Sequence, residues 1–429
     1  MYVPFPFSES APWSEQPDVG QCQTKGKIDT KKNRTHNEDW NGVRLNTEWI
    51  TSGDAAATGK PWFVYQGMNI IHPPYATTKN WYDKINHSAV TVPKWLPLDE
   101  IHPCDLQASM LKGCVPPKGT QQAAEFYDEE RRRTVRHIYL AMIAEFDAMV
   151  GAYVDAVDSV PGLREKTIFV VTSDHGDMDM EHQQFYKMSP YDASTRVPLV
   201  IAGRGIRQNV VITKPASLLD LYPTLLEIGG FEIPKEHSGI DGVSLVPWLQ
   251  TIDGVTDDDE ITRAAMYESA GVREHPPVIS QGHMSDNAIS WFLVRNDDMK
   301  LVVYGTGQEN VPQLFNITND PSEWTNLALE PKYNETVLEM TAMIRAVLDF
   351  PRVALDVAKY NKAMFVEWYA KTYDWKTVLP KGVPNGVPGS VNGTAWMNSP
   401  AHDGAIAAVS TWIDAPVEVK ACRSLPAEA

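Results

Sequence analysis

This sequence predicts a mostly parallel, doubly wound α/β sheet followed by a smaller α+β subdomain. Three observations lead there. Thr167-Ile-Phe-Val-Val171 is a short β-branched and aromatic run without polar alternation, as in a strand covered on both faces. Around it, strand and helix patterns alternate, the order that places helices on both faces of a parallel sheet. After about residue 255 the pattern changes to short strand-like runs separated by turns. The expected division is therefore 1–255 for the α/β part, 256–350 for a small antiparallel-sheet unit, and 351–429 for a partly irregular extension.

Taken in order, residues 1–58 are polar and aperiodic, apart from a short helix expected around Asp39 to Ile50. Pro61-Trp-Phe-Val-Tyr-Gln-Gly-Met-Asn-Ile-Ile-His72 has strand composition and ends in His72-Pro73-Pro74. Residues 75–118 form a long Pro- and Trp-rich insertion. Gln121 to Val157 predicts a long helix, with Ile138, Met142, Phe146, Val150, Tyr153 and Val157 on one face. Arg131, Arg132 and Arg133 near its start are read as a solvated basic face. Pro161-Gly162 ends the helix, and the strand Thr167–Val171 follows. A second strand is expected at Val197 to Ala202, then a helix from Ser217 that stops at Gly229-Gly230. Trp291-Phe-Leu-Val-Arg295, Lys300-Leu-Val-Val-Tyr304 and Gln313-Leu-Phe-Asn-Ile317 predict antiparallel strands. A helix is expected near Glu335 to Leu348, and residues 376–400 read as extended.

The 429 residues are 43% hydrophobic, enough for a large core, and carry a net charge of −17. That charge argues against a general nucleic-acid or acidic-membrane binder, so an anionic substrate needs a locally positive pocket. No run of apolar residues is long enough for a membrane helix. The four cysteines contain no Cys-x-x-Cys pair, which argues against a thiolate zinc site; Cys104 and Cys114 are spaced to close a small loop by disulfide. Asn-x-Ser/Thr sequons stand at Asn33, Asn86, Asn316, Asn334 and Asn392.

The chemistry gathers where the first buried strand ends. Ser173-Asp-His-Gly-Asp177 puts a carboxylate and an imidazole at a strand's carboxyl end, where open α/β sheets bind ligands, with Gly176 to let the chain turn. Lys187 and Arg196-Val-Pro198 follow. Together with Tyr186-Lys-Met-Ser189, Leu218-Leu-Asp-Leu-Tyr-Pro223 and Asp241-Gly-Val-Ser-Leu245, these motifs resemble the sulfatase family of the alkaline-phosphatase superfamily. The resemblance implies the alkaline-phosphatase/sulfatase type of sheet and hydrolysis of sulfate esters, with one bound Ca2+. It implies Asp174 and His175 as metal ligands, Lys187 as a contact to a sulfate oxygen, and His72 as a proton donor to sulfate or the leaving oxygen. The implied substrate is a sulfated small molecule or glycan, such as a 2-sulfated uronic acid of a glycosaminoglycan, and the implied setting is lysosomal or secreted. Asp177 is read as a solvated loop acid or as a support behind the metal ligands, His182 as a pocket-lining or turn-capping residue, and Arg196 as the partner of a carboxylate inside the fold.

Sulfatases use a formylglycine made from Cys in a Cys-x-Pro-x-Arg context. None of the four cysteines fits; Cys114-Val-Pro-Pro-Lys118 comes nearest but lacks the Arg. The nucleophile and the family's early Asp pair are expected upstream, so that this chain reads as an N-terminally truncated sulfatase. The alternatives are a non-catalytic protein that binds an anion or a partner, and a phosphatase or phosphodiesterase of the same superfamily.

Overall fold

A computed structural model describes residues 26–111, 128–250, 276–283, 290–371, 415–419 and 421–422. Strand β1 (Lys27–Asp29) pairs in parallel with β2 (Ala76–Thr78) beside helix α1 (Asn37–Thr51). Helix α2 (Pro103–Leu111) precedes the long helix α3 (Glu129–Asp158). Strand β3 (Ile168–Thr172) leads through the short helix α4 (Asp192–Thr195) to β4 (Leu199–Gly203) and helix α5 (Leu221–Ile228). The remaining strands are β5 (Val278–His283), β6 (Ser290–Asn296), β7 (Met299–Tyr304) and β8 (Gln313–Asn316), followed by α6 (Asn334–Val347) and α7 (Phe350–Lys371).

The long helix forms as its periodicity predicts. Asp128 caps it by accepting the Glu130 N–H at 2.9 Å, and Glu129 and Glu130 lie at the positive end of its dipole. Ile138 and Met142 are buried against Val43, Ile70, Tyr75 and Phe185, while Phe146 and Tyr153 flank them. Glu145 is fully buried on the same helix. It accepts the Thr35 N–H (2.9 Å), the Thr35 hydroxyl (2.5 Å) and the Trp40 indole N–H (2.8 Å), which ties the approach to α1 onto α3. Residues 121–127 of the expected helix lie outside the described residues.

Several expectations need correction. Residues 61–69 alternate in exposure residue by residue, as a strand would, but they join no described ladder, and Ile70 already lies in a turn. The backbone donors at their end are taken instead by Asp39 of α1, which accepts the Asn69 and Ile70 N–H groups at 3.0 and 2.7 Å. Strand β3 is not covered on both faces: each of its residues is only half-buried. Its pairing with β4 is antiparallel, Val170 opposite Ile201, where alternation of elements had suggested parallel strands. Arg132 and Arg133 are not a solvated face. They donate to the Pro93 and Val90 carbonyls, and Arg132 also lies 4.4 Å from the Trp95 ring, so they anchor the Pro-rich insertion. Cys104 pairs with Cys422, 318 residues away, not with Cys114, which lies outside the described residues.

The later strands form one antiparallel sheet in the order β5-β6-β7-β8, as read. Phe292, Val294, Leu301 and Leu314 on one face pack against Met340 and Ile344 of α6 and Phe350 and Ala354 of α7. Trp291, Leu293, Val302 and Tyr304 on the other face pack against Cys104 and Ala108 of α2. The expected boundary at 350/351 therefore falls inside one core, because α7 starts there. The boundary at 255 and the extended reading of 376–400 lie outside the described residues.

Candidate active site

Strand β3 delivers Asp174 and His175 to an open edge. Asp174 is 83% exposed. Its Oδ1 accepts the His175 N–H at 2.9 Å, and its Oδ2 lies 3.4 Å from His175 Nε2. The His175 Nδ1 faces the Gly176 carbonyl at 2.9 Å. A carbonyl only accepts, so Nδ1 carries the hydrogen and Nε2 presents its lone pair. Glycine is required at 176 by close approach, not by a left-handed turn. A Cβ there would sit 2.1 Å from the Ala193 carbonyl oxygen, while the Gly176 N–H donates to Ser194 O at 2.8 Å.

The loop that follows carries Lys187 on a backbone that side chains rarely adopt. Asp179, Met180, His182, Gln183, Tyr186 and Met188 all have positive φ. Such a loop persists only when its surroundings fix it. Arg136 of α3 donates to Asp179 O (2.8 Å) and Glu181 Oε1 (2.9 Å), and the Trp95 indole donates to Met180 O (2.9 Å). Asp177 accepts the Tyr75 hydroxyl (2.8 Å), the Asp179 N–H (2.9 Å) and the Tyr186 N–H (3.2 Å). Asp177 is thus the organiser of the loop and not a solvated acid. Burial pushes the Asp179 carboxyl well above the usual range against the pull of Arg136, and it pushes the Tyr75 hydroxyl up too.

Lys187 Nζ lies 2.7 Å from His175 Nε2, onto which it donates, and 4.6 Å from the centre of the Tyr186 ring. The Tyr186 hydroxyl lies 2.6 Å from His72 Nε2. The other His72 nitrogen faces the Pro73 carbonyl at 2.7 Å, so Nδ1–H donates there and neutral His72 accepts the tyrosine proton at Nε2. The four residues singled out from sequence therefore meet in one continuous run of contacts: Asp174, His175, Lys187, then through Tyr186 to His72. Tyr186 stands in the Tyr186-Lys-Met-Ser189 motif, but nothing in the sequence gives it a role of its own.

Two other expectations resolve differently. His182 lines no part of this cluster. Its Nε2 faces Ser322 O at 2.8 Å, and its ring stacks on Tyr191 and Trp324 at centroid distances of 3.7 and 4.3 Å, joining the loop to the C-terminal sheet. Burial lowers its pKa below the ordinary histidine value. Arg196 does face a carboxylate, Asp192, but at 4.0 Å and with its side chain 75% exposed. The buried partner of Asp192 is Lys300 of β7, which is 1% exposed and bridges Asp192 (2.7 Å) and Glu323 (2.6 Å).

As a donor set for a cation, Asp174 Oδ2 is a hard oxygen of the kind calcium takes and lies 3.4 Å from His175 Nε2, whose one lone pair is turned to Lys187 Nζ and would reach an ion only with that contact exchanged. Calcium needs about six to eight ligands. Among the described residues no group of three or more His, Cys, Asp or Glu could hold a metal, so this pair fits as part of a shell.

The chain resembles known proteins over most of its length. The sulfatase family pattern matches residues 38–231, and that of the N-sulphoglucosamine sulphohydrolase C-terminal region matches residues 180–349. Arylsulfatase K of Bos taurus is 33% identical over 367 residues, covering 82% of this chain and 62% of that protein. Arylsulfatase K of Xenopus laevis is 36% identical over 346 residues, covering 77% and 60%. The chain thus spans about three fifths of the length of these relatives. Among solved structures, the phosphonate monoester hydrolase SpPMH of Silicibacter pomeroyi aligns with a TM-score of 0.53 at 22% identity, over 72% of this chain and 61% of that one. The yidJ protein of Bacteroides fragilis aligns at 0.52 and 21%, over 73% and 59%. These two likenesses show the shared fold. With both sequence patterns and the relatives agreeing, the chain belongs to the sulfatase family.

Proposed function

We propose that this protein takes part in the hydrolysis of sulfate esters, with a 2-sulfated uronic acid of a glycosaminoglycan as substrate. The observation that supports it best is the single contact run from Asp174 through His175, Lys187 and Tyr186 to His72. Lys187 is a cation held by its neighbours where negative charge on a transferring sulfuryl group would build, so it needs little reorganisation to stabilise the transition state. His72, oriented by the Pro73 carbonyl, offers Nε2 as the proton donor to the leaving oxygen once that nitrogen is protonated. Asp174 and His175 would hold the family's calcium. That ion and a formylglycine would supply charge neutralisation and the nucleophile. No cysteine of the 429 residues stands in a Cys-x-Pro-x-Arg context, so these residues contribute binding and proton transfer. We assign the α/β part to residues up to about 255 and the small sheet to the region after it. A lysosomal or secreted setting is supported by the Cys104–Cys422 disulfide and by exposed sequon asparagines at Asn33, Asn86 and Asn334.

The test is release of inorganic sulfate from a 2-sulfated uronide disaccharide by the protein produced from its gene in a formylglycine-installing host. A phosphonate monoester is assayed beside it. Preferential turnover of the phosphonate ester would replace this reading with the phosphohydrolase one. Residues 1–429 alone are expected to release no sulfate above background, for want of a nucleophile. Calcium-dependent turnover by them would assign that role to a residue of this chain.

A further inference from the structure

We propose that Tyr186 is a positioning residue of this site: its ring seats the Lys187 ammonium while its hydroxyl holds His72 Nε2, fixing the two groups relative to each other. The proposal rests on the functional reading above and deepens it.

The backbone of Tyr186 is held on both sides. Its N–H donates to Asp177 Oδ1 at 3.2 Å and its carbonyl accepts the Met178 N–H at 2.6 Å. It sits at φ +73°, a conformation that residues other than glycine rarely adopt. That turn allows adjacent residues to converge: Lys187 folds back over the Tyr186 ring at 4.6 Å, and both reach the neighbouring histidines. The same ring stands edge-on to His72, with centroids 5.2 Å apart and planes at 87°. Asp177 is fixed by Tyr75, which is 1% exposed, so the placement of Tyr186 traces back to the core under α3.

The hydrogen-bond directions give the hydroxyl a definite task. Pro73 O holds a hydrogen on His72 Nδ1, so in the neutral ring Nε2 must accept, and the group it accepts from is Tyr186. The phenol therefore favours the tautomer with the hydrogen on Nδ1 and the lone pair on Nε2. When Nε2 is protonated, the phenol oxygen becomes its acceptor and the tyrosine O–H turns free to donate to an anion oxygen beside Lys187. Without the hydroxyl, His72 keeps one restraint of two. Without the ring, Lys187 loses its seat.

Tyr186→Phe separates the two roles, since it keeps the ring and removes the hydroxyl. Long-range 1H–15N spectra of the 429-residue chain give the His72 tautomer, and titration with sodium sulfate gives an affinity. Expected for Tyr186→Phe are a larger share of the Nε2–H tautomer, an unchanged backbone amide spectrum, and sulfate binding weakened roughly two- to tenfold, the scale of one hydrogen bond. Tyr186→Leu is expected to weaken sulfate further. Tyr222→Phe removes the hydroxyl of a Tyr–His pair elsewhere, with His237, and is expected to leave His72 unmoved. An unchanged His72 tautomer together with unchanged sulfate affinity in Tyr186→Phe would overturn the proposal. A tautomer shift in a chain that binds no sulfate would uphold the positioning role and sink the sulfatase reading of the site.

Discussion

The two larger sheets of this protein differ in how much of them is covered. In β6 and β7, five consecutive residues of each strand are buried, with helices α6 and α7 on one face and α2 on the other. In β3 every residue is half-buried, and in β4 alternate residues are exposed, Val200 at 56%. The well-covered sheet carries none of the candidate site residues. The poorly covered one ends in Asp174 and His175. Stability and chemistry are thus located in different regions, joined by Lys300 with Asp192 and Glu323 and by His182 on Ser322.

The largest effects should fall on the covered sheet. Phe292→Ala removes a side chain with no exposure that packs on Phe350, and is expected to cost about 3–5 kcal/mol of unfolding free energy. Val200→Ala should stay within about 0.5 kcal/mol. Denaturant melts of both would collapse the comparison if the two losses matched. Lys300→Met tests the joint. It leaves two carboxylates, buried or nearly so, without their cation, and breaking such a pair costs about 3–5 kcal/mol. A neutral result would mean that Asp192 and Glu323 are protonated or hydrated there; burial already pushes the Glu323 carboxyl up. Cys422→Ser opens the Cys104–Cys422 link and should cost about 2–5 kcal/mol, read as a fall in Tm that reducing agent reproduces in the parent chain.

The smallest effect is a pH dependence at the joint. The pKa of His182 is lowered by burial, so the unfolded state binds its proton more readily than the folded one. Its contribution is fully present above the ordinary histidine value of about 6.5 and is lost as pH falls through the lower folded value. The difference in Tm between parent and His182→Phe should therefore shrink from pH 7.5 to pH 5. A difference that is flat with pH would place His182 in a solvated position.

Much of this arrangement is legible in the chain. The apolar run ending in Asp174-His175-Gly176 marks a strand end by composition, though not how little of that strand is covered, and Lys187 is carried by the family's motif. The long-helix face and the antiparallel run from Trp291 to Ile317 are equally periodic. What stays hidden is whatever depends on a distant partner. Asp39 takes the Asn69 and Ile70 N–H groups in place of a ladder, and Cys422 reaches Cys104 across 318 residues. Arg132 and Arg133 look like a charged surface until the Pro-rich insertion folds onto them. Periodicity also fails at Tyr186, since left-handed residues on both sides of Lys187 break the pattern by which neighbouring side chains are assigned to opposite faces.

We propose that Lys187 and His72, joined through Tyr186, act on a sulfate ester. The direct measurement is kcat/KM for a 2-sulfated uronide in Lys187→Ala and His72→Ala, made in the formylglycine-bearing protein, with Tm recorded for each. Both values are predicted to fall by roughly a hundredfold or more while Tm barely moves, the scale of losing a positioned charge or proton donor. Folded variants that keep the parent kcat/KM would contradict the account.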